Sequence, residues 1–188
     1  MSMETAPEFH IRPARVDDAP LILSFIRALA EYERAPNEVV ATESDIRATL
    51  EGNPTRAEVV LAFHGDVPVG FALYFQNYST WLGRAGLYLE DLFVHPEHRG
   101  RGYGRRLLAH LASIAVARGC RRMEWSVLDW NEPAIRFYRS LGAAPMSEWT
   151  VHRLTGEALE ALAREGRAGA TEIPPPDGNR GAARPARS

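Results

Sequence analysis

The segment YLEDLFVHPEHRGRGYGRR, Tyr88 to Arg106, joins three kinds of structure in nineteen letters. Its first part lies in an apolar run, Leu87 to Val94, that carries two carboxylates, Glu90 and Asp91. A turn follows at His95-Pro96-Glu97. Next comes the basic, glycine-rich piece Arg99-Gly100-Arg101-Gly102-Tyr103-Gly104, and after it an uninterrupted helical pattern. A strand thus runs into a loop, and the loop into a helix N-terminus. The first amides of a helix lack intrahelical acceptors, and the helix dipole adds partial positive charge there. Glycines let the backbone approach a ligand closely and adopt positive φ. The ligand that suits such a turn is a phosphate or pyrophosphate.

The spacing excludes two familiar phosphate loops. A P-loop ends in Gly-Lys-Ser/Thr, whereas Gly104 is followed by Arg105-Arg106. A dinucleotide fingerprint needs G-x-G-x-x-G, but the glycines fall at 100, 102 and 104, with Arg at 105. What remains is Arg-x-x-Gly-x-Gly, Arg99 to Gly104.

Upstream of this loop the chain reads as strand, helix, helix, strand, strand. Phe9 to Arg12 is a short strand stopped by Pro13. Asp17-Asp18 opens a helix whose apolar stripe is Leu21, Ile22, Phe25, Ile26, Leu29 and Tyr32. Thr42 caps a second helix, Glu43 to Leu50. Ala57–His64 and Val69–Tyr78 are strands joined at Gly65-Asp66, and with Leu87–Val94 they form an antiparallel meander. Downstream, a helix carries Leu107, Leu108, Leu111, Ile114 and Ala115 on one face and stops at Gly119. Arg122 to Leu128 is then a strand, so strand, loop helix and strand make one βαβ unit. Asn131-Glu132-Pro133 starts a short helix, Ala134 to Ser140, closed by Gly142. Glu148 to Leu154 alternates like a last strand, and Thr155 opens a final helix to about Glu165. The expected fold is α/β, with a mixed, mostly antiparallel central sheet and helices on both faces. Residues 1–166 are expected to form a single domain. The Arg/Ala/Gly/Pro-rich stretch 167–188 reads as a disordered tail.

Composition narrows the function classes. The chain has 188 residues, enough for one domain with a proper core. A net charge of -2 gives no basic surface for nucleic acid. All 22 basic residues are Arg, so a lysine Schiff base is impossible. The single cysteine, Cys120, rules out an internal disulfide and suits a reducing cytoplasm. No 18-residue apolar run and no signal-peptide core appear, so no membrane partner is expected and a cytoplasmic location is.

A second block lies just past a strand end: Asp129-Trp130-Asn131-Glu132-Pro133-Ala134-Ile135-Arg136-Phe137-Tyr138, then Arg139-Ser140-Leu141-Gly142. Asn131 at a helix start is by default a cap. Phe137-Tyr138 can serve as core aromatics. Taken together, however, the block resembles the element N-x-x-A-x-x-F-Y-x-x-x-G of the GCN5-related N-acetyltransferases (GNAT), and Arg99–Gly104 resembles their coenzyme loop. Tyr-Leu-Glu-Asp before the loop, Asp-Trp-Asn-Glu-Pro after it, Ile11-Arg12-Pro13-Ala14 and Leu29-Ala30-Glu31-Tyr32-Glu33 are similar to the diamine (spermidine/spermine) and thialysine branch. The pattern spans about residues 9–160.

The resemblance implies a GNAT fold and acetyl-coenzyme A as co-substrate. It implies that Leu92, Phe93 and Val94 pair with the pantetheine arm. Arg99 and the run Gly100, Arg101, Gly102, Tyr103, Gly104 and Arg105 would hold the pyrophosphate, and Asn131, Pro133 and Ala134 would border the coenzyme. Tyr138 would be the general acid. Glu90, with Tyr32, Glu33 and Asp91, would face a small cationic amine, and Glu148 lies near a second acid of the branch. The loop after Gly142 is shorter than in that branch, which bears on polyamine specificity. A homodimer is also implied. The chemistry is consistent. A primary ammonium with a pKa of about 10 must lose a proton, an oxyanion needs donors, and a departing thiolate needs a proton.

Two other readings stand beside this one: a protein or peptide N-terminal acetyltransferase, and a non-catalytic acetyl-coenzyme A-binding module. Cys120, between Gly119 and Arg121 at a helix-to-strand turn, reads as structural or idle. His95 and His98 read as a solvated loop pair without further metal ligands, so no metal is expected. Trp130 reads as packing.

Overall fold

The computed structural model describes residues 8–52 and 57–169. These fall into two compact units, divided between Leu128 and Asp129.

In the first unit, five strands form one sheet in chain order: β1 (Phe9–Pro13), β2 (Glu58–His64), β3 (Val67–Ser79), β4 (Arg84–Val94) and β5 (Met123–Trp125). β1 to β4 pair antiparallel through consecutive strands, and β5 joins β4 in parallel. The parallel step needs a crossover, and helix α3 (Tyr103–Ala117) supplies it. The Gly65-Asp66 turn expected between β2 and β3 is present, with Gly65 at φ +59.

Helix α1 (Ala19–Tyr32) follows a 3₁₀ turn at Val16–Asp18. Asp18 accepts two bonds from the Arg12 guanidinium, at 2.7 and 2.8 Å, which ties that turn to β1. Helix α2 (Glu43–Glu51) is capped reciprocally: Asp45 N donates to Thr42 Oγ1 at 3.3 Å, and Thr42 N to Asp45 Oδ2 at 2.8 Å. Ile22 and Phe25 of α1 are fully buried and pack with Val59, Leu61, Phe71 and Phe93. Successive strand residues point to opposite faces, so Val60 and Ala62 line the other side of β2. There α3 lies, with Tyr103 stacked on Phe9 and buried Leu107, Leu108 and Leu111. Helices therefore cover both faces, as expected. Truncating a residue such as Phe25 to Ala removes about 3–5 kcal/mol.

One irregularity in β4 shapes everything near it. Leu73 of β3 is opposite Asp91, and the next residue, Tyr74, is opposite Leu89. Glu90 is thus an extra residue, a β-bulge. Without it Leu89 and Asp91 would share a face. With it, Leu89 joins Tyr74 on the α3 side, while Asp91 joins Leu73 on the α1 side. The pairing of β4 with β5 ends at the same place, at Leu89 and Trp125. This corrects the longer strand expected over Arg122–Leu128: β5 loses its partner where the bulge turns β4 away.

In the second unit, helix α4 (Glu132–Ser140) starts within the expected Asn131-Glu132-Pro133 and is capped by Asn131, whose Oδ1 accepts from Ala134 N at 3.4 Å. Pro133 occupies its first turn, where a missing N–H costs nothing. Gly142 at φ +87 ends it, its N–H donating to Arg139 O at 3.0 Å. The strand expected over Glu148–Leu154 is a correction: the segment has no strand pairing among the described residues, and its side chains are exposed. Alternation makes a strand only where a sheet edge receives it, and among the described residues every paired strand belongs to the first unit. Helix α5 (Gly156–Gly169) runs past the end expected near Glu165. The rest of the expected tail, 170–188, lies outside the described residues.

Candidate active site

The C-terminal end of α1 and the bulged part of β4 bring three carboxylates together. Glu33 ends α1, its N–H donating to Leu29 O at 2.9 Å, and Arg34 turns the chain away at φ +64. Asp91 stands on the same side of the sheet. Burial, reinforced by the charges of Glu90 and Glu33, pushes the Asp91 carboxyl up to about 6. Burial also raises Glu33. Among the described residues none of the three forms an ion pair. Like charges drawn together in a half-buried corner would suit a cation. Glu90, at the bulge, is the exposed member.

Beyond the bulge, β4 keeps only its β3 partner through Leu92, Phe93 and Val94. Backbone groups on the side that leaves β5 are the ones an extended ligand can reach. The Phe93 side chain belongs to the α1 core, at 3% exposure, so its part in such an edge is backbone only. The strands are drawn tight here. A Cβ at Gly70, opposite Val94, would run into the Phe93 carbonyl oxygen.

The glycine loop takes the form that its sequence requires. Gly100 and Gly102 have φ of +76 and +79, with open space where a Cβ would stand. Gly102 is the N-cap of α3 and offers no capping side chain. The first intrahelical bond is from Arg106 N to Gly102 O, at 3.0 Å, which leaves the amides of Tyr103, Gly104 and Arg105 directed out of the helix end. Arg101 and Arg105 are exposed. These features fit a pyrophosphate.

Two side chains assigned to that ligand have other contacts. Tyr103 is turned into the core, at 6% exposure, so only its amide is available. Arg99 Nε donates to Val94 O at 2.9 Å, and its guanidinium lies over the rings of Tyr32 and Phe93.

In the second unit, Asn131 is 7% exposed and spends its side-chain oxygen on the α4 cap. Ala134 is half-buried and Pro133 exposed. Tyr138 is half-buried on the same helix, its ring 5.3 Å from that of Phe137. Glu148 is exposed, in the segment without strand pairing.

His95 corrects an expectation. It is no solvated loop residue, because its ring packs 5.1 Å from Phe25 and 5.3 Å from Phe93, and its N–H donates to Val69 O at 2.9 Å. His98 is half-buried beside it in the chain. Among the described residues no group of three His, Cys, Asp or Glu is placed to hold a metal ion. None of the described helices is long and apolar enough to cross a membrane.

A family model described as the Acetyltransferase (GNAT) family matches residues 25–143, the span holding the acidic corner, the splayed strand and the glycine loop. The chain belongs to the GNAT acetyltransferase family. The thialysine N-epsilon-acetyltransferase of Bos taurus is 40% identical over 164 residues, covering 81% of this chain and 96% of its own. An L-ornithine N5-acetyltransferase of Arabidopsis thaliana is 34% identical, over 85% of this chain and 92% of its own. A solved integron cassette protein from the mobile metagenome of V. cholerae superposes with a TM-score of 0.69 at 28% identity, over 83% of this chain and 98% of its own. The branch that the sequence resembles is thus the branch of its relatives, and this GNAT protein is an N-acetyltransferase.

Three features in and around the candidate site carried no sequence signal. The bulge at Glu90 has no glycine to mark it. The Arg99–Tyr32 contact joins residues far apart in the chain. His64, which bonds Tyr103, looked like the last residue of a strand.

Proposed function

We propose that this enzyme moves the acetyl group of acetyl-coenzyme A to the terminal primary amine of a small cationic molecule: thialysine, an ornithine-like amino acid or a diamine. The observation that carries this is the gathering of Glu33, Glu90 and Asp91 without a cationic partner. A site for a neutral or acidic acceptor would not hold uncompensated carboxylates, whereas a substrate with one or more ammonium groups neutralises them on binding. The names of the relatives support the same class of acceptor.

In this reading the amine arrives protonated and gives its proton to Glu90, directly or through a water. Its lone pair attacks the thioester carbonyl, forming the C–N bond and a tetrahedral oxyanion near the unpaired backbone of β4. The C–S bond then breaks, the thiolate takes the proton of the Tyr138 hydroxyl, the second proton of the attacking nitrogen restores that hydroxyl through solvent, and the acetylated amine leaves. Leu92 to Val94 align the pantetheine arm by backbone. Gly100 to Arg105, with Asn131, Pro133 and Ala134, hold the rest of the coenzyme.

The test is thiol release from acetyl-coenzyme A with thialysine, ornithine, lysine, putrescine, spermidine, an aminoglycoside and a short peptide. Turnover with the free small amines and none with the peptide supports the proposal. Turnover with the peptide alone overturns it in favour of an N-terminal acetyltransferase. Coenzyme binding without turnover on any amine overturns it in favour of a non-catalytic module. Glu90→Gln should raise KM more for dicationic than for monocationic amines, and equal effects would remove Glu90 from the acceptor site.

A further inference from the structure

We infer that His64 is a positioning residue for the coenzyme loop, acting through Tyr103. This rests on reading that loop as the pyrophosphate site. Tyr103 is the first residue of α3, and its amide is the first of those directed out of the helix end. Whatever fixes its side chain therefore fixes that amide.

Two contacts do so. The ring stacks on Phe9 of β1, with centroids 4.4 Å apart and planes 22° from parallel. The hydroxyl lies 2.9 Å from Nδ1 of His64, at the end of β2. With Nδ1 as acceptor, the imidazole proton sits on Nε2 and the Tyr103 O–H donates. One turn on, the Arg106 guanidinium lies 4.1 Å over the same Phe9 ring and donates to Phe9 O at 3.3 Å. The first turn of α3 is thus fastened to the β1–β2 edge through residues 103 and 106, which share a helix face.

The loop itself has little else to hold it. Gly100 and Gly102 have no side chains, and the space beside them is open. Its place depends on its two ends: Arg99, bonded to Val94 O, and Tyr103, bonded to His64. A hydrogen bond at the buried end converts sheet rigidity into aligned amides, which is what an anion site needs before its ligand arrives.

The test is calorimetric titration of coenzyme A into the wild type, His64→Ala, His64→Gln, Tyr103→Phe and the His64→Ala/Tyr103→Phe double variant. Kd should rise about fivefold to tenfold in His64→Ala and in Tyr103→Phe, the scale of one hydrogen bond. The double variant should be no weaker than either, because both remove one bond. His64→Gln, whose amide oxygen can accept from the hydroxyl, should recover most of the affinity. KM for the amine at saturating acetyl-coenzyme A should stay within twofold of wild type in His64→Ala, which a general loss of structure would not allow. Unchanged coenzyme binding in His64→Ala, or a Gln variant no better than Ala, overturns the inference. Should His64→Ala fail to fold, Tyr103→Phe decides alone, since it keeps the ring and its stacking. A wild type that does not bind coenzyme A overturns the reading of the loop together with the inference.

Discussion

The guanidinium of Arg99 lies 4.4 Å over the ring of Tyr32, while its Nε holds the carbonyl of Val94 at 2.9 Å. One side chain therefore joins the end of α1, which carries Glu33, to the end of β4 and the start of the glycine loop. A planar, forked cation can stack and donate at once, which an ammonium cannot. Arg99→Lys is expected to behave like Arg99→Ala, raising KM for both coenzyme and amine several-fold. Steady-state kinetics with each substrate varied in turn check this. A Lys variant with wild-type constants would show that only the charge matters.

The Asp91 carboxyl gives a pH test with a definite sign. Burial and its acidic neighbours raise it from 3.8 to about 6, so folding favours the protonated form. The stability linked to this proton is fully present below the unfolded value and is lost as pH rises through about 6. At about 1.4 kcal/mol per unit, and reduced because the group is partly in contact with solvent, the loss is about 2 kcal/mol. Asp91→Asn is expected to gain that amount relative to wild type between pH 4 and pH 7, measured by urea unfolding at each pH. A difference independent of pH would mean that Asp91 titrates normally. In the wild type, KM for a cationic amine should rise below pH 6, where Asp91 loses its charge.

Gly70 tests the close approach of β3 and β4. A methyl group there meets the Phe93 carbonyl, a backbone atom that cannot rotate aside. Gly70→Ala is expected to cost about 2 kcal/mol and to weaken coenzyme binding, because Phe93 lies in the stretch that has left β5. Thermal unfolding and coenzyme titration measure the two effects. A variant as stable as wild type would show that the strands separate easily.

Tyr138→Phe separates chemistry from packing. Phenylalanine keeps the ring beside Phe137 and loses only the proton donor. The expected result is a fall in kcat of about 10²-fold or more with coenzyme Kd within twofold of wild type. Equal loss of both would make Tyr138 a structural residue.

Most of this was legible in the letters because it depends on local rules. Thr42 and Asn131 read as caps and are caps, since a side-chain oxygen three residues before an amide needs nothing from elsewhere. Arg99–Gly104 read as an anion loop because positive φ at Gly100 and Gly102 is a local demand. The stripe from Leu21 to Tyr32 placed α1 against a sheet. The error over Glu148–Leu154 has the opposite origin: alternation is local, but a strand exists only through a partner. Tyr103, assigned to a ligand by its place in a motif, is drawn inward by Phe9 and His64, whose distance in sequence hid them.

By itself the sequence determined the order of strands and helices as far as α4, the meander and its βαβ unit, the family and the residue types available for catalysis. The elements follow from periodicity, capping and turn chemistry, which act over a few residues, and the family from the resemblance carried by Arg99–Gly104 and Asn131–Gly142. Only the tertiary structure decided that β4 bulges at Glu90 and leaves β5 there, that Asp91 is thereby turned to the α1 side beside Glu33, and that Arg99 and Tyr103 brace the two ends of the loop. Each of these is a contact between elements distant in the chain, and its strength comes from burial, which exists only once the sheet and its helices have closed on one another.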